Sequence, residues 1–66
     1  MPVITFEIAE LTKEQKTQLI SEFTESASRI MNMPKELFYV HLREYGLDNI
    51  GVGGEGLSEY RKRTEK

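Results

Sequence analysis

The chain has 66 residues, with 9 lysines and arginines against 11 aspartates and glutamates, and its formal net charge is −2. This balance argues against nucleic acid as a partner, and no apolar run approaches the roughly 20 residues that span a membrane. There is no cysteine and His41 is the only histidine, so neither a disulfide nor a metal site is expected.

Residues 2–9 (PVITFEIA) predict a first strand, because they are rich in β-branched and aromatic types. Alternation divides their side chains between two faces of that strand. One face carries Ile4, Phe6 and Ile8, and the other carries Val3, Thr5 and Glu7. The same region lacks the basic segment and apolar run of a signal peptide, so we expect a cytoplasmic location.

A long amphipathic helix is predicted next. Thr12 and Gln15 fit a capping box, in which the Thr12 hydroxyl accepts from the amide of residue 15 and Gln15 reaches back. From there to about Met31 the apolar residues follow helical spacing. They are Leu19, Ile20, Phe23, Ala27, Ile30 and Met31.

Pro34 suits the first turn of a short helical piece, and residues 37–44 (LFYVHLRE) then predict a second strand. One face of this strand carries Phe38, Val40 and Leu42, and the other carries Tyr39, His41 and Arg43. Residues 45–49 predict a loop, and the glycine-rich residues 50–56 (IGVGGEG) favour a tight turn that feeds a hairpin. Residues 58–66 (SEYRKRTEK) predict a polar, solvated tail.

The order strand, helix, strand predicts a βαβ unit with parallel strands and a right-handed crossover. One helix covers only one face of this small sheet, whereas parallel sheets are normally covered on both faces. A chain this short also buries only about 60% of the surface that its unfolded form exposes. We therefore predict a single α+β domain over residues 1–66 that forms a homo-oligomer, in which neighbouring subunits cover the second face.

Several of these features together resemble the 4-oxalocrotonate tautomerase family of the tautomerase superfamily. They are Met-Pro opening a strand, TKEQK at residues 12–16, Leu19-Ile20, Pro34 before the second strand, and GVGGE at residues 51–55. The resemblance covers nearly the whole chain. It implies a β-α-β subunit with two parallel strands, one long helix and a C-terminal hairpin, assembled as a hexamer or, in some members, a trimer.

The resemblance also implies the chemistry, since the family uses an amino-terminal proline that maps onto Pro2. Once Met1 is removed, Pro2 bears a secondary amine whose reference pKa is that of an α-amino group, about 7.7–8.0. An apolar pocket or a nearby cation lowers this pKa and leaves a base poised near neutrality. The implied activity is that of a cofactor-independent isomerase acting on a small keto or enol substrate, one that carries a carboxylate.

The chain departs from the family at its two substrate-binding arginines, because Leu11 and Tyr39 stand roughly where those arginines would be. Arg43 and His41 are candidate replacements, and Tyr39 could donate a hydrogen bond to an enolate oxygen. Ile50 stands in place of an aromatic residue that keeps the family's site dry.

Each of these candidates has a structural alternative. Arg43 could form an ion pair with Glu7 or Glu44, while His41 and Tyr39 could belong to a subunit interface and Ile50 to ordinary packing. The functional alternative is a catalytically inactive assembly or binding protein on the same scaffold. The sequence leaves the natural substrate and the choice between hexamer and trimer open.

Overall fold

The computed structural model describes residues 1–64, and its main elements follow the predicted order. Strand β1 spans Val3–Ile8, helix α1 spans Lys13–Met31, and strand β2 spans Tyr39–Glu44. The two strands are parallel, with the first residues Val3 and Tyr39 opposite each other. The predicted β-α-β unit is therefore confirmed.

Helix α1 begins and ends on side-chain and backbone signals that the sequence carries. The Thr12 hydroxyl accepts from the Gln15 amide at 3.1 Å, and the Gln15 side chain accepts from the Thr12 amide at 2.9 Å. At the other end Asn32 takes the left-handed conformation with φ 54° and donates its amide to the Ser28 carbonyl. Asparagine tolerates this conformation better than most residues, so it ends the helix at low cost.

The second strand begins later than predicted, because Pro34 leads into a 3₁₀ turn that spans Lys35–Leu37. The Phe38 amide donates to the Lys35 carbonyl at 3.0 Å, which keeps Leu37 in the turn instead of the sheet. The Leu37 amide also donates to the Pro34 carbonyl at 3.1 Å. The apolar character of Leu37 is compatible with a strand, so its side chain alone does not predict the turn.

The sheet packs one face against α1, and the other face is open. Ile4, Phe6 and Ile8 are half-buried while the alternate residues of β1 are exposed, as the alternation predicts. Phe6 contacts Phe23 of α1 with ring centroids 5.5 Å apart, in the tilted geometry that aromatic pairs prefer. The open face carries the odd-numbered side chains of both strands, from Val3 and Tyr39 to Glu7 and Arg43.

The loop between β1 and α1 is tied to the end of β2 by one carboxylate. Glu44 lies 2.6 Å from the Lys16 ammonium and accepts a hydrogen bond from the Leu11 amide at 3.0 Å. The Lys16 contact first, and the Leu11 amide second, hold the pKa of Glu44 below its ordinary value of 4.5. Both contacts favour the charged carboxylate, so the tie depends on its ionisation.

The predicted C-terminal hairpin is present, formed by β3 (Gly51–Val52) and β4 (Glu55–Gly56) in antiparallel pairing. A second 3₁₀ turn, Leu47–Asn49, precedes it. Gly53 and Gly54 make the hairpin turn with φ of 61° and 91°, which only glycine adopts without strain.

The predicted tail is exposed at residues 59–64, but the sequence reading missed its helical structure, since helix α2 spans Leu57–Thr64. Its first turn is held by contacts with the preceding loop. The Leu57 amide donates to the Ile50 carbonyl at 2.7 Å, and the Ser58 hydroxyl donates to the Asp48 carboxylate at 2.7 Å. The last two residues of the predicted tail lie outside the described part of the chain.

The subunit by itself has no enclosed core, because none of residues 1–64 is fully buried. Its radius of gyration is 15.7 Å, whereas a compact domain of this length has one of about 11 Å. Large apolar side chains stand exposed along it: Met1, Val3, Ile20, Ile30, Met31, Leu37, Tyr39, Val52 and Tyr60. Neither of the two α-helices in the described residues is both long and apolar enough to cross a membrane.

Candidate active site

Pro2 lies immediately before β1 and is fixed to the beginning of β2. Its carbonyl accepts a hydrogen bond from the Tyr39 amide at 3.1 Å. Pro2 is half-buried, whereas Met1 is 82% exposed. With Met1 attached, the ring nitrogen is part of a planar amide and is not basic. Removal of Met1 would give Pro2 a free secondary amine. This amine would stand immediately before β1, whose position is fixed by its pairing with β2.

The other three candidates of β2 lie on the open face of the sheet in a row. Tyr39, His41 and Arg43 stand opposite Val3, Thr5 and Glu7 respectively. Tyr39 is therefore beside Pro2, while Arg43 is four residues further along the strand, about 13 Å away. Of these three residues, only Tyr39 is close to Pro2 within one subunit.

Arg43 is engaged by an acidic neighbour. Its guanidinium lies 3.7 Å from the Glu7 carboxylate, and the same carboxylate oxygen accepts from the Tyr45 hydroxyl at 3.3 Å. The side chains of Arg43 and Glu7 are both more than half exposed, so this ion pair contributes little to stability. It does, however, lower the net charge that Arg43 presents to an anion.

Ile50 lies at the opposite end of the sheet from Pro2. It lines a cleft of about 410 Å³ together with Glu7, Ile8 and Tyr45. Six residue steps of β1 separate Pro2 from Ile8, which corresponds to about 20 Å. One subunit therefore does not bring Pro2 and Ile50 together.

Leu11 lies on the helix side of the sheet. It lines an apolar cleft of about 410 Å³ with Phe6, Ile8 and Leu19. Tyr39 is on the open face and at the other end of the strands, so the two positions where the family's arginines are missing do not meet within one subunit either.

The 3₁₀ turn that precedes β2 carries two further side chains, Lys35 and Leu37, which sequence reasoning did not single out. The Lys35 carbonyl accepts from Phe38, and the next amide, that of Tyr39, donates to the Pro2 carbonyl. The turn is therefore adjacent to Pro2. The sequence did contain a signal for the position of this turn, since Pro34 predicted a short helical piece directly before the strand that pairs with β1.

No group of three histidine, aspartate or glutamate side chains within residues 1–64 comes close enough together to hold a metal ion. No side-chain nitrogen or oxygen in this part of the chain is buried without a hydrogen-bond partner.

Comparison with known proteins agrees with this geometry. The family described as "Tautomerase enzyme" matches residues 2–60. A probable tautomerase of Campylobacter jejuni is 35% identical over 68 residues, covering 100% of both chains. A probable tautomerase of Listeria monocytogenes is 42% identical over 55 residues, covering 82% of this chain and 90% of its own. The chain belongs to the tautomerase family.

Solved structures narrow the class. A 4-oxalocrotonate tautomerase homologue superposes with a TM-score of 0.82 at 33% identity, covering 89% of this chain and 95% of that one. The predicted resemblance to the 4-oxalocrotonate tautomerase family is thereby confirmed. Family and fold together support a tautomerase activity, which is an isomerase activity.

Proposed function

We propose that the chain is a cofactor-independent isomerase that transfers a proton within a small, carboxylate-bearing keto or enol substrate, with Pro2 as the general base. The observation that carries this proposal is the position of Pro2. It is the first residue of the family match, it is anchored to β2 at Tyr39, and it follows a Met1 that is open to an aminopeptidase.

The proposed reaction needs one nitrogen and no other reactive group. The neutral secondary amine takes a proton from the substrate's enol oxygen or from the carbon next to its carbonyl, and it returns a proton at another position of the same conjugated system. In this proposal the Tyr39 phenol donates a hydrogen bond to the enolate oxygen as charge develops there. His41 and Arg43 are the remaining candidates for orienting the substrate.

The same proposal includes a homo-oligomer, either a hexamer or a trimer. A base with a lowered pKa needs a dry surrounding, and the isolated subunit offers none, because no described residue is fully buried. Ile50 can exclude water from Pro2 only if it comes from a neighbouring subunit, since in one chain it lies beside Ile8, at the other end of β1 from Pro2. Association would also cover the exposed Val3 and Tyr39.

The proposal is tested by comparing wild type with Pro2→Ala in the ketonisation of phenylenolpyruvate. Intact-mass spectrometry of the natural protein comes first and is expected to show that Met1 is absent. General base catalysis contributes at least about a hundredfold, so a loss of roughly that size is expected in the variant. Circular dichroism and molar mass of the variant should match wild type. Equal rates would reject Pro2 as the base, and a wild-type rate no higher than that of buffer alone would favour an inactive assembly or binding protein.

A further inference from the structure

The positions of the cationic side chains suggest which of them meets the substrate's carboxylate. Four of the lysines and arginines in residues 1–64 are already in ion pairs. The pairs are Lys16 with Glu44, Arg43 with Glu7, Lys62 with Glu59, and Arg63 with Glu55. The remaining described cations are Lys13, Arg29, Lys35 and Arg61.

Two of these four, Lys13 and Arg61, lie away from Pro2. Lys13 begins α1, which follows the far end of β1, and Arg61 is in α2 beyond the hairpin. Arg29 is in the last turn of α1 and lines a surface groove together with the carboxylate side chains of Glu22 and Glu25.

Lys35 is at the Pro2 end of the subunit. Two hydrogen bonds, of 3.0 Å and 3.1 Å, and one residue step connect its carbonyl with that of Pro2. The carbonyl oxygen of Lys35 is therefore within roughly 10 Å of the carbonyl oxygen of Pro2. An ammonium group on a flexible four-carbon stem can cover most of this distance. Lys35 is exposed and forms no ion pair with any side chain in the described part of the chain.

The groups next to Lys35 favour an apolar ligand with a single negative charge. Leu37 and Tyr39 are 42% and 49% exposed and flank the same turn. Glu36 stands beside Lys35 in the turn and would repel a second anionic group. A second carboxylate at this end of the sheet would lose its hydration without gaining a cation from the same subunit, which is costly.

We propose that Lys35 binds the substrate's carboxylate beside Pro2, and that the substrate is a keto or enol acid with one carboxylate and an apolar body. This inference rests on the proposed function for the role of Pro2. Lys35 acts as a point charge that orients the acid, and Leu37 and Tyr39 contact the apolar body. The family's dicarboxylate-binding arginines are absent at Leu11 and Tyr39, and one lysine replaces them for a less highly charged substrate.

Kinetics with a charged and a neutral substrate test the charge that is recognised. The ketonisation of phenylenolpyruvate and of its methyl ester is measured for wild type, Lys35→Met, Lys35→Arg and, as the matched control, Lys13→Met. Loss of one charge-assisted contact is expected to lower kcat/KM for the acid roughly tenfold, mainly through KM. In Lys35→Met, kcat/KM for the ester should be unchanged. Lys35→Arg should keep most of the activity on the acid, and Lys13→Met should behave as wild type.

A binding measurement separates this inference from the proposed function, because it does not require turnover. Calorimetry compares phenylacetate with phenylacetamide, and wild type is expected to bind the carboxylate more tightly, with the preference lost in Lys35→Met. If Pro2→Ala is fully active, the proposed function fails while this comparison still decides the role of Lys35. The inference is overturned if wild type shows no preference, if Lys35→Met retains it, or if only Arg43→Met removes it.

Discussion

At the scale of single residues, the proposed reaction depends on what surrounds the Pro2 nitrogen, and Tyr39 is the residue of β2 opposite the beginning of β1, beside Pro2. Tyr39 begins β2, stands opposite Val3 and donates its amide to the Pro2 carbonyl. Its side chain is half exposed, so the phenol is available to a ligand on the open face of the sheet.

Replacement of Tyr39 by phenylalanine removes the phenol and keeps the ring. If the hydroxyl stabilises the enolate, kcat for phenylenolpyruvate should fall by about a hundredfold, and KM should change little. Tyr60→Phe is a suitable control, because Tyr60 lies in α2 with its ring under the Arg63 guanidinium. A wild-type kcat in Tyr39→Phe would assign Tyr39 to interface packing alone.

The sequence could name the candidates Pro2, Tyr39, His41, Arg43 and Ile50, but it could not show which of them lie close together. Alternation placed Tyr39, His41 and Arg43 on one strand face, and the parallel pairing then follows from the βαβ order. The ion pair of Arg43 with Glu7, whose carboxylate also accepts a hydrogen bond from Tyr45, depends on rotamers at the end of the sheet, which no pattern specifies. The separation of Pro2 from Ile50 likewise required coordinates.

At the scale of elements, the sequence predicted the helix whose ends are stabilised by neighbouring residues and missed the helix that is held by residues further away in the chain. The start of helix α1 was predicted because Thr12 and Gln15 cap it from within three residues, and its end near Met31 was predicted from the helical spacing of the apolar residues. Helix α2 was missed because its first turn is held by groups distant in sequence, the Ile50 carbonyl and the Asp48 carboxylate. A sequence of Glu, Arg and Lys after a glycine-rich turn suits a helix or a solvated tail equally well.

The tie between the β1–α1 loop and β2 predicts a pH dependence of stability. Contacts with Lys16 and the Leu11 amide lower the pKa of Glu44 in the folded chain. Its contribution to the free energy of unfolding is therefore present above the ordinary pKa of 4.5 and is lost as the pH falls through the lowered value. Glu44→Gln should melt at a lower temperature than wild type at pH near 7, and the difference should shrink in acid.

Thermal unfolding followed by circular dichroism at several pH values measures this effect. Glu10→Gln is the matched control, because Glu10 is in the same loop and no hydrogen bond or ion pair involves its side chain among residues 1–64. Its melting temperature should follow that of wild type. A difference between Glu44→Gln and wild type that persists unchanged in strong acid would contradict the role given to this carboxylate.

At the scale of the whole molecule, the exposed apolar surface of the subunit is the basis for the proposal that copies of the chain associate. No described residue is fully buried, and the chain extends over 46 Å with a cross-section of 23 by 16 Å. Apolar side chains at both ends, such as Met31 and Val52, need cover that the same chain does not provide. Size-exclusion chromatography with light scattering should therefore give the mass of a hexamer or a trimer at micromolar concentration, and a monomer mass would contradict this.

We propose above that Pro2 carries a free amine whose pKa is lowered by its surroundings in the assembled protein. Nitrogen NMR of protein labelled at proline measures this directly, by titration of the Pro2 resonance in the native oligomer. We expect an amine resonance whose pKa lies clearly below the reference range of about 7.7–8.0. An amide resonance that does not titrate, or a pKa within the reference range, would contradict the claim.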